Sequence, residues 1–496
     1  MKLTKRMAAL ALALAFVLAP AFGMGGKEAR PGAGQAKAES AKYVFLFIGD
    51  GMSMAQVSAA EIYAKSMAGG EHGFAKLGFT QFPAQGLTTT YDSSSIITDS
   101  ASSGTAIATG NKTASGVINM DPGKTLRYKT IAEYAKELGW KVGVVSNVSL
   151  DHATPASFYA KAPSRGDMYD ICVQLAASGF DYFGGGGLAQ PRGKKGDQPD
   201  AVELAKKAGY HVVNDNASFK ALKPEAGRKV LAMNAILQDS SAMPYDIDRK
   251  EGDLALADYV EKGIELLMND KGFFFMVESG KIDWACHAND AAASIGDTLA
   301  FDRAIAAAVE FQKKHPRDTL IIVTGDHETG GMSIGFAGTK YDTAFGKVSA
   351  QKGSYVAFDE GVLGPYKDGR GSADARLAEL LPEIKRFFGL DYAALSQKDK
   401  ELIDRAFTRS MKGEVERAVQ EDTYLLYGGY EPLTVTLTHL ANQAAGIGWT
   451  TYSHTGVPVP TYALGRSQYL FDGYYDNTEL FFKLAAVMGV KLPASK

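Results

Sequence analysis

Cysteine is nearly absent: Cys172 and Cys286 are the two in 496 residues. That excludes a disulfide-stapled scaffold and a thiolate-rich metal or iron–sulfur centre. The pair is enough for one disulfide or for two buried thiols, and spacing does not choose between them. An excess of charge is also missing. With 53 Lys and Arg against 56 Asp and Glu the net charge is −3, so no basic field exists to recruit nucleic acid. Beyond the N-terminus no run is long and apolar enough to span a bilayer.

What is present begins with MKLTKRMAALALALAFVLAPAFGMGG: a basic start, an apolar run from Met7 to Ala19, then Pro20 and small residues. This is the layout of a secretory signal peptide (1–23), and it predicts a secreted, periplasmic protein. An uncleaved anchor is the alternative, and Ala36–Ala38 offers a second cleavage point. Residues 24–41 read as a Gly/Ala/Lys-rich tether. The remaining length is sufficient for a large core.

Four stretches share one plan. KYVFLFIGDG (Lys42–Gly51), KVGVVSNVSLDHATP (Lys141–Pro155), FFFMVESGKID (Phe273–Asp283) and TLIIVTGDHETGG (Thr319–Gly331) are β-branched or aromatic runs that end in Gly, Ser, Asp, Glu or His. Continuous apolar strands are buried on both faces, as in parallel sheets covered by helices. Helical text lies between them at Thr130–Gly139 and Leu254–Asp270. The expected fold is α/β, with a mostly parallel central sheet and helices on both faces. Ligands in such folds gather beyond the carboxyl ends of the strands.

Those ends carry Asp50, His152, Thr154, Glu278, Asp283, Asp326 and His327. One Asp after a strand is ordinarily a turn or cap residue; four strand ends bearing carboxylates or imidazoles are a pattern. Oxygen and nitrogen donors without thiolates suit zinc together with a harder ion such as magnesium. In DWACH, Asp283 and His287 are four apart and share one helix face. His454, in YSHTG, has no local partner pattern. His72, His211, His315 and His439 read as structural or exposed.

ITDSASSGTAIATGNKTA (Ile97–Ala114) crowds hydroxyls around Asp99 and reads as the start of a helix. Ser100 there is either a simple N-cap or a nucleophile at the positive end of the helix. No G-x-S-x-G elbow or Ser-His-Asp order accompanies it, so attack by Ser100 requires a metal to activate its hydroxyl.

In order along the chain, IGDGMS, TDSAS, HATP with SR beyond it, ESGKIDWACH, TGDHETGG and YSHTG resemble the motif series of alkaline phosphatases. The resemblance spans about Lys42 to Gly489, excluding much of Phe336–Ile447. It implies Ser100 as nucleophile and Arg165 as a bidentate phosphate clamp. It implies two zinc ions: one held by Asp326 and His327 with Asp50 and Ser100, the other by Asp283, His287 and His454. Asp50, Thr154 and Glu278 are implied to hold a third ion, magnesium. His152 and Trp284 stand where the best-known bacterial form has Asp and Lys; the first opens the third site to zinc or cobalt, with His152 ligating directly or through water, and the second removes a positive charge from the phosphate vicinity, which implies weaker phosphate binding and faster product release.

The implied reaction is hydrolysis of phosphate monoesters through a phosphoserine intermediate at alkaline pH, with broad specificity. A likeness to the family's crown is implied for 336–447, a charged helical insertion between core segments 42–335 and 448–496, and a homodimer is the family expectation. Two rivals stay open: a phosphodiesterase or mutase on the same scaffold, and a periplasmic metal- or phosphate-binding protein. No membrane span is expected once the leader is removed.

Overall fold

The computed structural model describes residues 38–70, 72–370, 374–414 and 421–493. The expected signal peptide, and the tether up to residue 37, lie outside the described residues. Among those described, no helix is long and apolar enough to cross a membrane.

Among the described residues fourteen strands are found: β1 (Tyr43–Gly49), β2 (Ala84–Thr89), β3 (Lys141–Ser146), β4 (Tyr182–Gly185), β5 (Tyr210–Val213), β6 (Lys229–Met233), β7 (Phe273–Ser279), β8 (Thr319–Gly325), β9 (Glu328–Thr329), β10 (Ser333–Ile334), β11 (Ile447–Gly448), β12 (His454–Thr455), β13 (Val459–Gly465) and β14 (Gly473–Asp476). Ten of them form one sheet in the order β14-β2-β13-β8-β1-β7-β3-β4-β6-β5. Its pairings are parallel except those of β13 with β8 and β2.

The period of two in a strand explains the core. Val44, Leu46, Ile48, Phe274, Met276, Leu320 and Ile322 point to one face, under helices Ser100–Thr109, Ile131–Glu137, Met168–Ala177 and Thr478–Met488. Phe45, Phe47, Phe273, Phe275, Val277, Ile321 and Val323 point to the other, under Met54–Met67, Leu256–Leu267 and Ala291–Lys314. β1, β7 and β8 are buried along their whole length. Each such aromatic or aliphatic side chain contributes about 1.5–3 kcal/mol by leaving water, so the central strands are the most strongly held part of the sheet. Both cysteines are buried free thiols, packed in these two opposite clusters; that settles the alternative left open by composition.

Register carries the site. Gly49 lies beside Ser279 of β7 and Gly325 of β8, and Ser146 of β3 lies beside Glu278. Four strands therefore stop at one level, and the residues that follow them converge. Glycine is required where they do: a Cβ on Gly325 would meet the Met52 carbonyl at 2.1 Å, and Gly51 turns at φ +72° against Asp283.

After β8 the chain makes two short ladders. β9 pairs with β12, which sets Thr329 opposite His454. β10 pairs with β11, so the segment between them leaves and re-enters at one point. That segment contains helices Leu377–Phe388, Gln397–Met411 and Pro432–Ala445. It packs around its own apolar cluster of Phe358, Ile384, Phe388, Ile403, Leu433 and Leu437.

Candidate active site

Asp99, not Ser100, caps the helix Ser100–Thr109. Its carboxylate accepts from Ser102 N at 3.0 Å, and Ser100 is the first helical residue. The cap reading of Ser100 is thereby corrected: Asp99 occupies the extended position whose side chain reaches forward, which leaves the Ser100 hydroxyl free to point across the strand ends. There Ser100 Oγ lies 3.1 Å from His327 Nε2.

Around this pair the structure gathers the strand-end residues. Asp50 follows β1, Glu278 is the penultimate residue of β7, and Asp326 and His327 follow β8. Asp283, Trp284 and His287 come from the helix Lys281–His287 directly after β7. His152 and Thr154 lie at the short helix Ala153–Ala156 beyond β3. His454, the residue without a sequence neighbour, arrives on β12. Asp50, Glu278, Asp326 and His327 are fully buried. Every one of these expected residues reaches the site.

Three overlapping groups have donor atoms within 4.8 Å of one another: Asp283, His287 and His454; Asp50, Asp283 and His327; Asp50, His152 and Glu278. Asp326 lies outside these groups. Its Oδ1 accepts from Gly51 N and from His327 N, while Oδ2 has no hydrogen-bond partner and lies 3.4 Å from His327 Nε2. Asp50 Oδ1 and Glu278 Oε1 also lack a hydrogen-bond partner.

The imidazole tautomers can be read from the backbone. His287 Nδ1 faces the Tyr452 carbonyl at 2.6 Å, and His454 Nδ1 faces the Thr98 carbonyl at 2.8 Å. A carbonyl accepts only, so each Nδ1 carries the proton and each neutral ring presents its Nε2 lone pair. Those two Nε2 atoms are 3.1 Å apart, and the carboxylate of Asp283 reaches both, at 3.3 and 3.6 Å. Facing lone pairs and unpartnered buried carboxylates call for a cation.

The electrostatics agree. Burial, reinforced by Asp326, Asp283 and Glu278, pushes Asp50 well above the usual carboxylate range. Burial raises Glu278 to about 7 and raises Asp326 strongly. Burial lowers His327, His454 and His152, the last to about 3. Asp283 and His287 shift the other way: burial opposes it, but His287, His454 and His327 hold Asp283 well below the usual range, and burial is likewise outweighed at His287, which Asp283 and the Tyr452 carbonyl raise. The remaining acids resist deprotonation and the remaining imidazoles resist protonation, a mismatch that a divalent ion relieves.

Arg165 stands across the cleft. Its Nη1 donates to Asp99 Oδ2 at 3.0 Å and its Nη2 to His152 Nε2 at 3.0 Å. Burial alone would raise Asp99, but the Arg165 guanidinium and the hydrogen bonds from Gly116 and Ser102 hold it well below the usual range. Trp284 packs edge-on to His152, with centroids 5.7 Å apart. A cleft of about 310 Å³ joins Ser100, Arg165, His152, Asp283, His287 and His454 to Asp239, Ser240, Trp284, Tyr355 and Tyr430.

Sequence reading missed several of these residues. Asp99 is one, since the sequence offered Ser100 as the cap, and its pairing with Arg165 spans 66 positions. Thr329 donates to Asp283 Oδ1 at 2.5 Å and Ser146 donates to Glu278; a hydroxyl beside a ligand has no sequence signal of its own.

Fold and site define a class: an α/β protein whose parallel sheet presents a buried carboxylate–imidazole centre beside a serine hydroxyl and an arginine. Comparison with known proteins narrows it. The family model described as alkaline phosphatase matches residues 41–490. Alkaline phosphatase 3 of Bacillus subtilis (strain 168) is 32% identical over 455 residues, covering 88% of this chain and 87% of its own. The cold-active alkaline phosphatase of the psychrophile Shewanella sp. superposes with a TM-score of 0.74 at 27% identity, covering 90% of this chain and 99% of its own. A His-to-Glu mutant of the TAB5 alkaline phosphatase, with Mg bound in its M3 site, gives 0.61 at 26% identity over 92% of this chain and 100% of its own. The chain belongs to the alkaline phosphatase family. Its activity is that of a hydrolase acting on phosphate monoesters.

Proposed function

We propose that the chain hydrolyses phosphate monoesters through a phosphoserine formed on Ser100. The observation that carries this reading is Ser100 Oγ at the first turn of a helix, 3.1 Å from His327 Nε2 and lining one cleft with Arg165. The positive end of the helix and the guanidinium draw the phosphoryl group to the hydroxyl. Arg165, held in place by Asp99, grips two non-bridging oxygens as a fork, which favours a doubly charged monoester over a diester. Ser100 Oγ attacks phosphorus in line and the alcohol departs opposite. Water then cleaves the phosphoserine and releases inorganic phosphate.

The donor set fits the metals of this reading. Asp326, His327, Asp50 and Ser100 would hold one zinc; Asp283, His287 and His454 would hold the second; Asp50, Thr154 and Glu278, with His152, would hold magnesium. Bound, such ions lower the pKa of a coordinated hydroxyl or water and stabilise charge on the attacking and leaving oxygens. The carbonyls of Tyr452 and Thr98 keep His287 and His454 in the ligating tautomer. Magnesium is the choice for the third site because Thr154 and two carboxylates make it oxygen-rich.

Within this reading the segment 336–447 is a crown-like insertion between core segments 42–335 and 448–496, the protein is a periplasmic homodimer, and its specificity is broad. The test is turnover of p-nitrophenyl phosphate at pH 8–10 by the zinc- and magnesium-replete chain and by Ser100→Ala, with acid quench on labelled phosphate. The expected result is at least about a thousandfold loss of kcat in the variant and an acid-stable phosphoserine in the native chain alone. Equal turnover by the variant, or a diester cleaved faster than the monoester, would sink the proposal.

A further inference from the structure

Five of the eleven residues lining the cleft are neither the serine, the arginine nor the expected metal-holding residues. Beyond Arg165 and the imidazoles its far wall consists of Asp239, Ser240, Trp284, Tyr355 and Tyr430. Tyr355 and Tyr430 meet edge to face at 5.8 Å, and Tyr355 packs on Tyr245 at 5.9 Å. Aromatic faces attract cations through their quadrupoles. The molecule already uses this locally: the buried Lys281 ammonium lies 3.6 Å above the Tyr245 ring and 5.0 Å from the Trp284 ring, without a hydrogen-bond partner. Lys281 sits behind this wall rather than in it.

Asp239 is the far wall's one carboxylate, and no Lys or Arg lines the wall beside it. It is half-buried and accepts one side-chain hydrogen bond, from Ser240 Oγ at 3.4 Å. Asp239, Ser240 and Ser241 are consecutive non-glycine residues at φ 28°, 50° and 65°, a conformation L-residues avoid. It is enforced by the Gln238–Ala242 pair, at 2.8 and 2.9 Å, and by Gly187 N donating to the Ser241 carbonyl at 2.8 Å. The tip of this strained turn carries the carboxylate to the cleft. Asp248 and Glu360 add to the same negative field, with Lys281 as the opposing charge.

We propose that this wall is a leaving-group subsite that selects phosphate monoesters of amino alcohols, in which an ammonium on the departing alcohol lies among the tyrosine and tryptophan rings and against Asp239. The assignment rests on the phosphomonoesterase reading and deepens it: turnover remains broad, but cationic leaving groups are preferred and those bearing a carboxylate or second phosphate are disfavoured.

The test compares kcat/KM for phosphocholine with that for its neutral isostere 3,3-dimethylbutyl phosphate, using the full metal-replete chain. The ammonium also makes choline the better leaving group, so the deciding quantity is the change in this ratio. Asp239→Asn is expected to lower it about tenfold, and 1 M salt to lower it in the unmodified chain, since part of the attraction is screened. A ratio unmoved by both overturns the subsite while p-nitrophenyl phosphate turnover keeps the phosphatase reading intact. Failure to cleave any of the three esters overturns both. The salt arm uses the native chain, so it decides the matter even if the variant does not fold.

Discussion

The Asp99 carboxylate performs two tasks with its two oxygens. Oδ1 accepts from Ser102 N and Gly116 N, while Oδ2 pairs with Arg165. Removing the charge while keeping the shape separates them. Asp99→Asn is expected to retain most of the cap but to raise KM for p-nitrophenyl phosphate about tenfold, because a charge-assisted contact that holds the phosphate fork is lost. Steady-state kinetics check this; an unchanged KM would mean that Arg165 is positioned by His152 alone. Arg165→Lys is expected to weaken phosphate binding at least as much, since an ammonium makes no fork, and product inhibition by inorganic phosphate reads that directly. Ser100, Asp283 and His287 were legible as chemistry-bearing residues in the sequence, the last two by their i, i+4 spacing. Arg165 was reached only through the motif resemblance, because nothing near it in the chain distinguishes it from a surface arginine until Asp99 lies beside it.

At the scale of elements, two junctions transmit structure to the site. The first is the close packing of the turns after β1 and β8. Gly325→Ala forces a Cβ to 2.1 Å from the Met52 carbonyl, so the β8 turn must shift and carry Asp326 and His327 with it. The expected outcome is weaker zinc binding, seen as metal loss to a competing chelator, alongside a lower Tm. The second is helix Pro432–Ala445, whose His439 Nε2 donates to Asn289 Oδ1 at 3.0 Å, while Asn289 in turn donates to the Cys286 and Thr451 carbonyls. Burial lowers His439 to about 4. A histidine depressed in the native state contributes stability above its ordinary value near 6.5, lost as pH falls toward 4, because the unfolded chain then binds the extra proton. Wild type should exceed His439→Gln in unfolding free energy above pH 6.5, and that gap should narrow by up to about 3 kcal/mol on acidification. Denaturant titrations at several pH values measure it. In the sequence His439 reads as a structural or exposed histidine; its partner lies 150 positions away, so its anchoring role has no local sign.

For the whole molecule, the centre opposes the fold unless a cation is supplied. Four carboxylates from different elements are buried together, and Glu278 is raised from 4.5 to about 7. A raised acid binds more protons in the native state. The stability it contributes is therefore present below its ordinary value and lost as pH climbs through about 7. Protein stripped with a chelator should lose Tm between about pH 4.5 and 7, whereas zinc- and magnesium-replete protein should not. Calorimetry with and without metal tests this, and parallel curves would show that the carboxylates are neutralised by other means.

Local chemistry determined much of this protein. Short, uninterrupted apolar runs rich in β-branched and aromatic residues favour β1, β3, β7 and β8 as strands of a sheet buried on both faces, where both sets of side chains leave water. The polar residues that stop those runs had to lie at its carboxyl edge. Tertiary structure decided what they do there. Parallel register brought four strand ends to one level, the β9–β12 ladder returned His454 to the centre, and Asp99 met Arg165 across the cleft. Tyr355 and Tyr430 arrived from the segment between β10 and β11 to wall the cleft with Asp239. These pairings depend on distances between residues far apart in the chain, which are settled only when the core packs around them.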